Sequence, residues 1–206
     1  MVKAVNPDAS FDHLFVIGEL SKAGQSLNLG EVQIFIYLAC MLGLYDGRPV
    51  ATWGYSFVAT PDSSPFSIEL LEASDSLIAS GLIATAGEFM TISERGQKEL
   101  DRWERLTRFA PRVPYLRGAT GAAVAMPLSV VKEGVELEPQ LHNARALQHS
   151  RHLLDEAGIS QIYRHFQVLE SSLGKNVPDY MIPAVVWLSF LLEQDDQGGA
   201  AGGGLR

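Results

Sequence analysis

The stretch from Glu31 to Tyr45 is apolar on nearly every side, with Val32, Ile34, Phe35, Ile36, Leu38, Cys40, Met41, Leu42 and Leu44 spread around the helical circumference. A helix without a polar face has to be surrounded, so this one segment requires several other elements to pack about it. At about a dozen apolar residues it is too short to cross a bilayer, which takes roughly 18 or more. Asp46-Gly47 stops it. The expectation is a globular chain organised around a central helix. With 47% hydrophobic and 19% charged residues in 206, the chain has enough apolar surface to bury a core.

Charge and cysteine usage narrow the function classes. A formal net charge of -8 works against non-specific attraction to phosphates or anionic lipid headgroups. Cys40 is the only cysteine and lies inside the apolar run, so a buried and inert thiol is expected. Neither an intramolecular disulfide nor a multi-cysteine metal cage can form, and a reducing, cytoplasmic setting follows. The opening MVKAVNPDASFDHLF has neither the charged n-region nor the long apolar h-region of a secretory signal.

Around the central helix the first half of the chain is clearly punctuated. Phe11, Leu14, Phe15, Val16, Ile17 and Leu20 follow a 3.6-residue repeat behind Ser10, predicting a first helix over 11–26. Arg48 to Ser64, with Pro49, Gly54 and Pro61 among β-formers, reads as a loop with one short extended stretch. In SSPFSIELLEASDSLIASGLI, Ser64 can cap, Pro65 suits the first helical position, and Leu70, Leu71, Leu77 and Ile78 form a stripe ending at Gly81. Two short β-forming runs, 82–85 and 89–92, flank Ala86-Gly87-Glu88 and predict a hairpin. Ser93 then caps a charged helix over 94–109. Three helices, a two-stranded wing and a helix are the order of a winged helix-turn-helix, which residues 11–109 resemble. The fold class expected is mainly α, with this N-terminal half (1–109) followed by a helical subdomain (110–193) and a flexible Gly/Ala-rich tail (194–206).

The connector Ala110-Pro-Arg-Val-Pro-Tyr115 marks the boundary between the halves. Beyond it, 116–133 reads as a small-residue helix kinked or broken at Pro127, and 138–157 as a polar helix ended by Gly158. Ser160 is expected to cap a helix over 161–173. Tyr180 to Glu193 is a hydrophobic helix that docks on this chain or on a partner.

The residues argue against chemistry more than for it. The third helix carries Glu69, Glu72 and Asp75, the wing adds Glu88, and no Lys or Arg occurs between Pro65 and Ile83, so phosphate would be repelled there. Bases gather instead at Arg95, Lys98, Arg102, Arg105, Arg108, Arg112 and Arg117. Some are expected to pair at i,i+4, as Glu94 with Lys98 and Asp101 with Arg105. Arg105, Arg108, Arg112 and Arg117 are left as candidate contacts to an acidic partner or a nucleic acid. His149, His152 and Glu156 would share a helical face, but no HExxH pattern accompanies them, and a solvated polar face is the reading preferred over a metal site. No nucleophile elbow or phosphate-binding glycine loop is present. A non-catalytic protein without a cofactor is expected.

The segments Tyr55-Ser56-Phe57, Ser64-Pro65-Phe66-Ser67 and Ser80-Gly81-Leu82-Ile83 are similar to segments of winged-helix middle components of three-part bacterial systems built on an SMC-like ATPase, the Lamassu-type anti-phage defences. The resemblance implies an accessory subunit that bridges or restrains a DNA-sensing ATPase and an effector. On that reading Glu69, Glu72 and Ser76 of the third helix and Trp187, Phe190 and Leu191 of the last are the candidate partner contacts, with core packing the competing role for Trp187. The alternative is a winged-helix transcriptional regulator that dimerises through its C-terminal helices.

Overall fold

The computed structural model describes residues 4–174 and 177–201. The chain is mainly helical, with two small antiparallel sheets. Helix α1 (Pro7–Lys22) begins a turn earlier than the apolar repeat indicates. The Asn6 carboxamide accepts from the N–H groups of Asp8 and Ala9, Pro7 occupies the first turn, and Asp8 adds an acidic side chain at the positive helix end. Helix α2 (Leu29–Tyr45) starts on a capping box in which Asn28 and Glu31 satisfy each other's backbone N–H groups. Every residue of α2 from Val32 to Tyr45 is buried. That follows from its composition: an all-apolar helix is stable in water only when covered all round.

The cover is assembled from both halves of the sequence. After a 3-10 turn at Val50–Thr52 come strands β1 (Val58–Ala59) and β2 (Pro65–Phe66), then α3 (Ile68–Ala79). Pro65, expected to open the helix, is instead paired in the sheet opposite Ala59. Ser67 is the N-cap residue of α3, and its backbone N–H donates to the buried Gln33 Oε1 of α2 at 2.6 Å. Strands β3 (Ile83–Ala86) and β4 (Phe89–Ile92) form the expected hairpin through Gly87 and Glu88, with Gly87 at φ +64°. Leu27 bridges to Met90 by a reciprocal pair of backbone hydrogen bonds, adding a third extended segment beside the hairpin. Helix α4 (Glu94–Trp103) is capped by Ser93 and lies so close to β3 that a Cβ at Gly96 would sit 2.0 Å from the Leu82 carbonyl oxygen.

The C-terminal half adds α5 (Val113–Ala125), α6 (Leu128–Glu136), α7 (Pro139–Leu147), β5 (Arg151–His152), α8 (Glu156–Leu173) and α9 (Met181–Ala201). Pro127 produces a full break between α5 and α6. The single helix expected over 138–157 does not form. Gln148 turns left-handed at φ 51°, β5 then pairs with β1, and Asp155 caps α8 by accepting from the Gly158 N–H at 2.8 Å. Gly158 is thus in a first turn rather than at a helix end, and Ser160 lies inside α8. The tail is corrected in part: α9 continues to Ala201, because nothing in Gln194 to Ala201 breaks a helix as proline does, while 202–206 lie outside the described residues.

The connector expected to divide two subdomains does not divide the core. Helices α5, α6, α8 and α9 pack on α2, and a single hydrophobic cluster runs from Ala9 to Leu191. The sheet β2-β1-β5 likewise takes a strand from beyond the connector. Close approach of α9 to α5 depends on Gly118, where a Cβ would come within 2.5 Å of the Tyr180 Cβ.

What fastens the connector is a polar cluster on α1. Residues 104–112 leave the helical path expected to reach residue 109 and fold back as turns, so that Phe109 stacks on Phe11 with centroids 4.4 Å apart. Asp8 and Asp12, one turn apart on α1, meet Arg108 and Arg112, also four residues apart. Arg108 grips Asp8 with two hydrogen bonds of 2.9 and 3.0 Å at the surface. Arg112 grips Asp12 in the interior, with Nε 2.7 Å from Oδ1 and Nη2 donating to Oδ2. Its Nη1 donates to the Trp53 carbonyl at 2.6 Å, its plane lies 4.2 Å from the Trp53 ring centroid, and the Tyr55 hydroxyl donates to Asp12. Burial raises the Asp12 carboxyl and Arg112 draws it back; burial lowers Arg112, but Asp12 outweighs this and holds the guanidinium above its ordinary value. The pair is fully hydrogen-bonded, the condition under which a buried ion pair is tolerated.

A second buried cluster anchors α7. The Glu138 carboxylate accepts from the N–H groups of Gln140 and Leu141, both at 3.1 Å, while the Gln140 Oε1 accepts from Leu154 N–H at 3.0 Å. Burial pushes Glu138 up, and the two backbone donors pull it back.

Two predictions follow from these buried groups. Arg112→Met should cost about 3–5 kcal/mol by stranding the Asp12 charge, whereas Asp12→Leu with Arg112→Met should recover most of the loss; urea denaturation of the three variants measures both. His13 is fully buried with no hydrogen-bond partner for either ring nitrogen among the described residues, and burial lowers it to about 3. Below an unfolded value of 6.5 the unfolded chain binds a proton that the folded chain refuses until about pH 3. Its contribution is therefore intact above pH 6.5 and lost as pH falls, at about 1.4 kcal/mol per pH unit. His13→Leu should flatten that portion of the stability curve between pH 6.5 and 4 relative to the parent chain.

Candidate interaction surface

Helix α3 turns Leu70, Ala73, Ser74 and Leu77 inward against α1 and leaves its other face outward. On that outer face Ile68 is 47% and Ile78 37% exposed, beside Asp75 and Ser76, which are exposed, and Glu69 and Glu72, which are partly so. The hairpin continuing from α3 exposes Glu88 and 41% of Phe89. The surface is therefore acidic and apolar at once. Arg95 donates from Nη1 to the Ser80 carbonyl at 3.0 Å and so closes the C-terminal end of α3. Of the residues expected on the outer face of this helix, Glu69 and Glu72 are partly exposed and Ser76 is exposed.

The four arginines picked out as contacts fare differently. Arg112 is withdrawn into the Asp12 cluster, both sides of its fork occupied, and is corrected from a surface contact to a core group. Arg108 is exposed but paired with Asp8, and Arg117 lies 3.6 Å from Glu104. Arg105 is exposed and takes no part in an ion pair among the described residues. The pairing expected between Glu94 and Lys98 is present at 2.6 Å. That between Asp101 and Arg105 is not, because α4 stops at Trp103 and Asp101 accepts instead from Gln97 at 2.8 Å. Paired cations interleaved with carboxylates do not make the continuous basic stripe that a nucleic-acid backbone requires.

Helix α9 docks on its own chain. Trp187 and Leu191 are buried, Trp187 making an edge contact with Phe166 at 5.5 Å, so neither presents a surface for a partner. Burial follows from the apolar faces of α5 and α6 against which α9 packs. Phe190 is half-buried beside His165 at 5.6 Å, and Ile182 is the exposed large apolar residue of this helix. The histidine cluster dissolves: His149 is in the turn after α7, His152 in β5, and the Glu156 side chain lies outside the described residues. Among the described residues no group of three or more His, Cys, Asp or Glu is arranged to hold a metal ion, and no helix is long and apolar enough to cross a membrane.

One groove adjoins the α3 surface that the linear sequence did not disclose. It encloses about 360 Å³ and is lined by Val50, Ala51, Gly54, Tyr55, Ser56, Phe57, Glu69, Leu153 and Leu154. Leu154 has φ 62°, a rare conformation for a leucine, held by the Gln140 hydrogen bond, while Leu153 N–H donates to the Phe57 carbonyl at 3.0 Å. Residues 50–57 and 153–154 meet only because β5 pairs with β1. The legible signal was limited to the aromatics at 53–57, which had to pack on something.

Comparison of the chain with protein-family models, with characterised proteins and with solved structures finds no match.

Because their side chains project outward, Ile78→Asp and Phe89→Asp should leave stability within about 0.5 kcal/mol of the parent. Thermal melts of both variants check this, and a large loss in either would show that the α3 and hairpin surface is part of the core.

Proposed function

We propose that this chain is a non-catalytic adaptor built on a winged helix, in which α3 and the hairpin form a surface for protein rather than DNA. The observation that carries the reading is the character of that surface: Glu69, Glu72, Asp75 and Glu88 alongside exposed Ile68, Ile78 and Phe89, with Arg95 spent on the helix end. DNA recognition places cations where phosphates run, and here the signs are reversed. Support for the winged-helix part comes from the order α1, α2, α3, β3, β4, α4 and from the Leu27–Met90 bridge, which sets an extended segment between the first two helices beside the wing. A mixed acidic and apolar surface suits a partner that offers bases around an apolar centre.

The resemblance of the 55–57, 64–67 and 80–83 segments to middle components of Lamassu-type systems supplies the partner: a cytoplasmic SMC-like ATPase, with an effector as third component. The reading assigns no catalytic residue and no cofactor. The adaptor's task in it is to hold the ATPase and effector in a fixed relation until DNA sensing changes that relation.

Purification of the native complex from its host, with mass spectrometry and sizing of what elutes, tests the proposal. A large ATPase in fixed ratio is expected, and Asp75→Lys combined with Ile78→Asp should lower its recovery by at least about tenfold, the loss of one interface hot spot. A lone homodimer that binds duplex DNA in a salt-dependent manner would replace the adaptor by a transcriptional regulator.

A further inference from the structure

The outer face of α3 carries its apolar residues in a fixed rhythm. Ile68, Leu71, Asp75 and Ile78 stand at i, i+3, i+7 and i+10, the a and d positions of two successive heptads. On an α-helix these four fall within an arc of about 80°, beside the arc of the buried Leu70, Ala73, Ser74 and Leu77. Ile68, Asp75 and Ile78 are exposed and Leu71 is half-buried. On the core side the seam is bordered by Ser74, whose hydroxyl donates to Met90 Sδ at 3.5 Å, so the hairpin runs along that edge. Phe89, the residue before Met90, is exposed there. The other edge of the seam carries Glu72 and Ala79.

The rhythm selects the shape of an occupant, and the charge selects its composition. Apolar side chains at alternating three- and four-residue spacing are the surface that a second helix fills, knob into hole. Asp75 sits within that seam rather than beside it. It lies in the middle of α3, beyond the reach of the positive helix end, and takes no ion pair among the described residues. No Lys or Arg between Pro65 and Ile83 neutralises it. An all-apolar helix laid over the seam would strip Asp75 of water and leave it without a partner, which opposes docking. A second copy of α3 fails likewise, since in either direction it brings only Glu69, Glu72 and Asp75. A base at the opposing position turns the same burial into an attraction.

We infer that α3 is docked by one amphipathic helix of a partner polypeptide, apolar at heptad spacing and bearing a lysine or arginine where it meets Asp75. Ile68, Leu71 and Ile78 supply the apolar contacts. The carboxylate sets the register, because any shift of the partner helix brings an apolar residue onto Asp75 and carries the base onto an apolar neighbour. The inference deepens the adaptor reading and rests on it for the identity of the partner. The shape and charge demanded of the contacting element come from α3 alone.

The probe is a synthetic three-heptad peptide with isoleucine at a, leucine at d and lysine at the central a position. It carries a fluorescent label and is titrated with the full chain below the concentration at which the peptide pairs with itself. A second peptide has glutamate in place of that lysine. The lysine peptide should bind saturably and gain helical circular dichroism. The glutamate peptide should bind about tenfold more weakly, an attraction exchanged for a repulsion of similar size. Asp75→Lys should reverse the preference, and Ile78→Asp should weaken both peptides while leaving the thermal melt in place. Equal binding of the two peptides, no saturable binding, binding without helix formation, or a preference untouched by Asp75→Lys overturns the inference. The two readings fail separately. An ATPase recovered in fixed ratio from the host, with no preference between the peptides, leaves the adaptor and removes the docked helix; the stated preference without any ATPase leaves the docked helix and removes the adaptor.

Discussion

The buried pair of Asp12 and Arg112 holds the two halves of this chain in one body. Apolar contacts between α1, α2 and α5 are plentiful, but they are not directional, and many slightly different packings would satisfy them. A guanidinium that must find two carboxylate oxygens, one carbonyl and one indole face at once accepts a single placement. The stack of Phe109 on Phe11 and the outer pair of Asp8 with Arg108 repeat the same registration on either side. The connector thus behaves as a riveted joint, and the position of α5, hence of α9 against it, is inherited from α1.

That joint also explains which side chains are left for function. Of the arginines that make a basic impression in the linear chain, Arg108, Arg112 and Arg117 are paired with carboxylates of the same chain. What reaches solvent on α3 and the hairpin is negative and apolar.

Much of this was legible in the sequence, and the failures have common causes. The all-apolar α2, the hairpin around Gly87 and the break at Pro127 were readable because each rests on a local signal of composition or backbone chemistry. The start of α3 was misplaced because Ser64-Pro65 is a valid local cap, overridden when Pro65 found a sheet partner and Gln33 supplied the acceptor for Ser67. Asp12 and His13 read as polar interruptions of an amphipathic helix, and their burial depends on groups about a hundred residues away or on none at all. The outward placement of Glu69, Glu72 and Ser76 followed from the helical repeat of α3, whereas Trp187 and Leu191 could not be told from interface anchors, since a core helix and a docking helix have the same composition. The groove was invisible because its two walls belong to different halves.

The pairing of β1 with β5 has a consequence in time as well as in space. Residues 58 and 152 must meet before the small sheet is complete, and the groove has only one wall until they do. During synthesis the chain up to α4 emerges long before β5, with the apolar circumference of α2 still uncovered by α5, α6, α8 and α9. Long-range contacts of this kind slow folding and prolong the exposure of sticky surface. A chain arranged in this way has no groove between residues 50–57 and 153–154 until β5 has been made and has paired with β1, so a nascent chain lacks it.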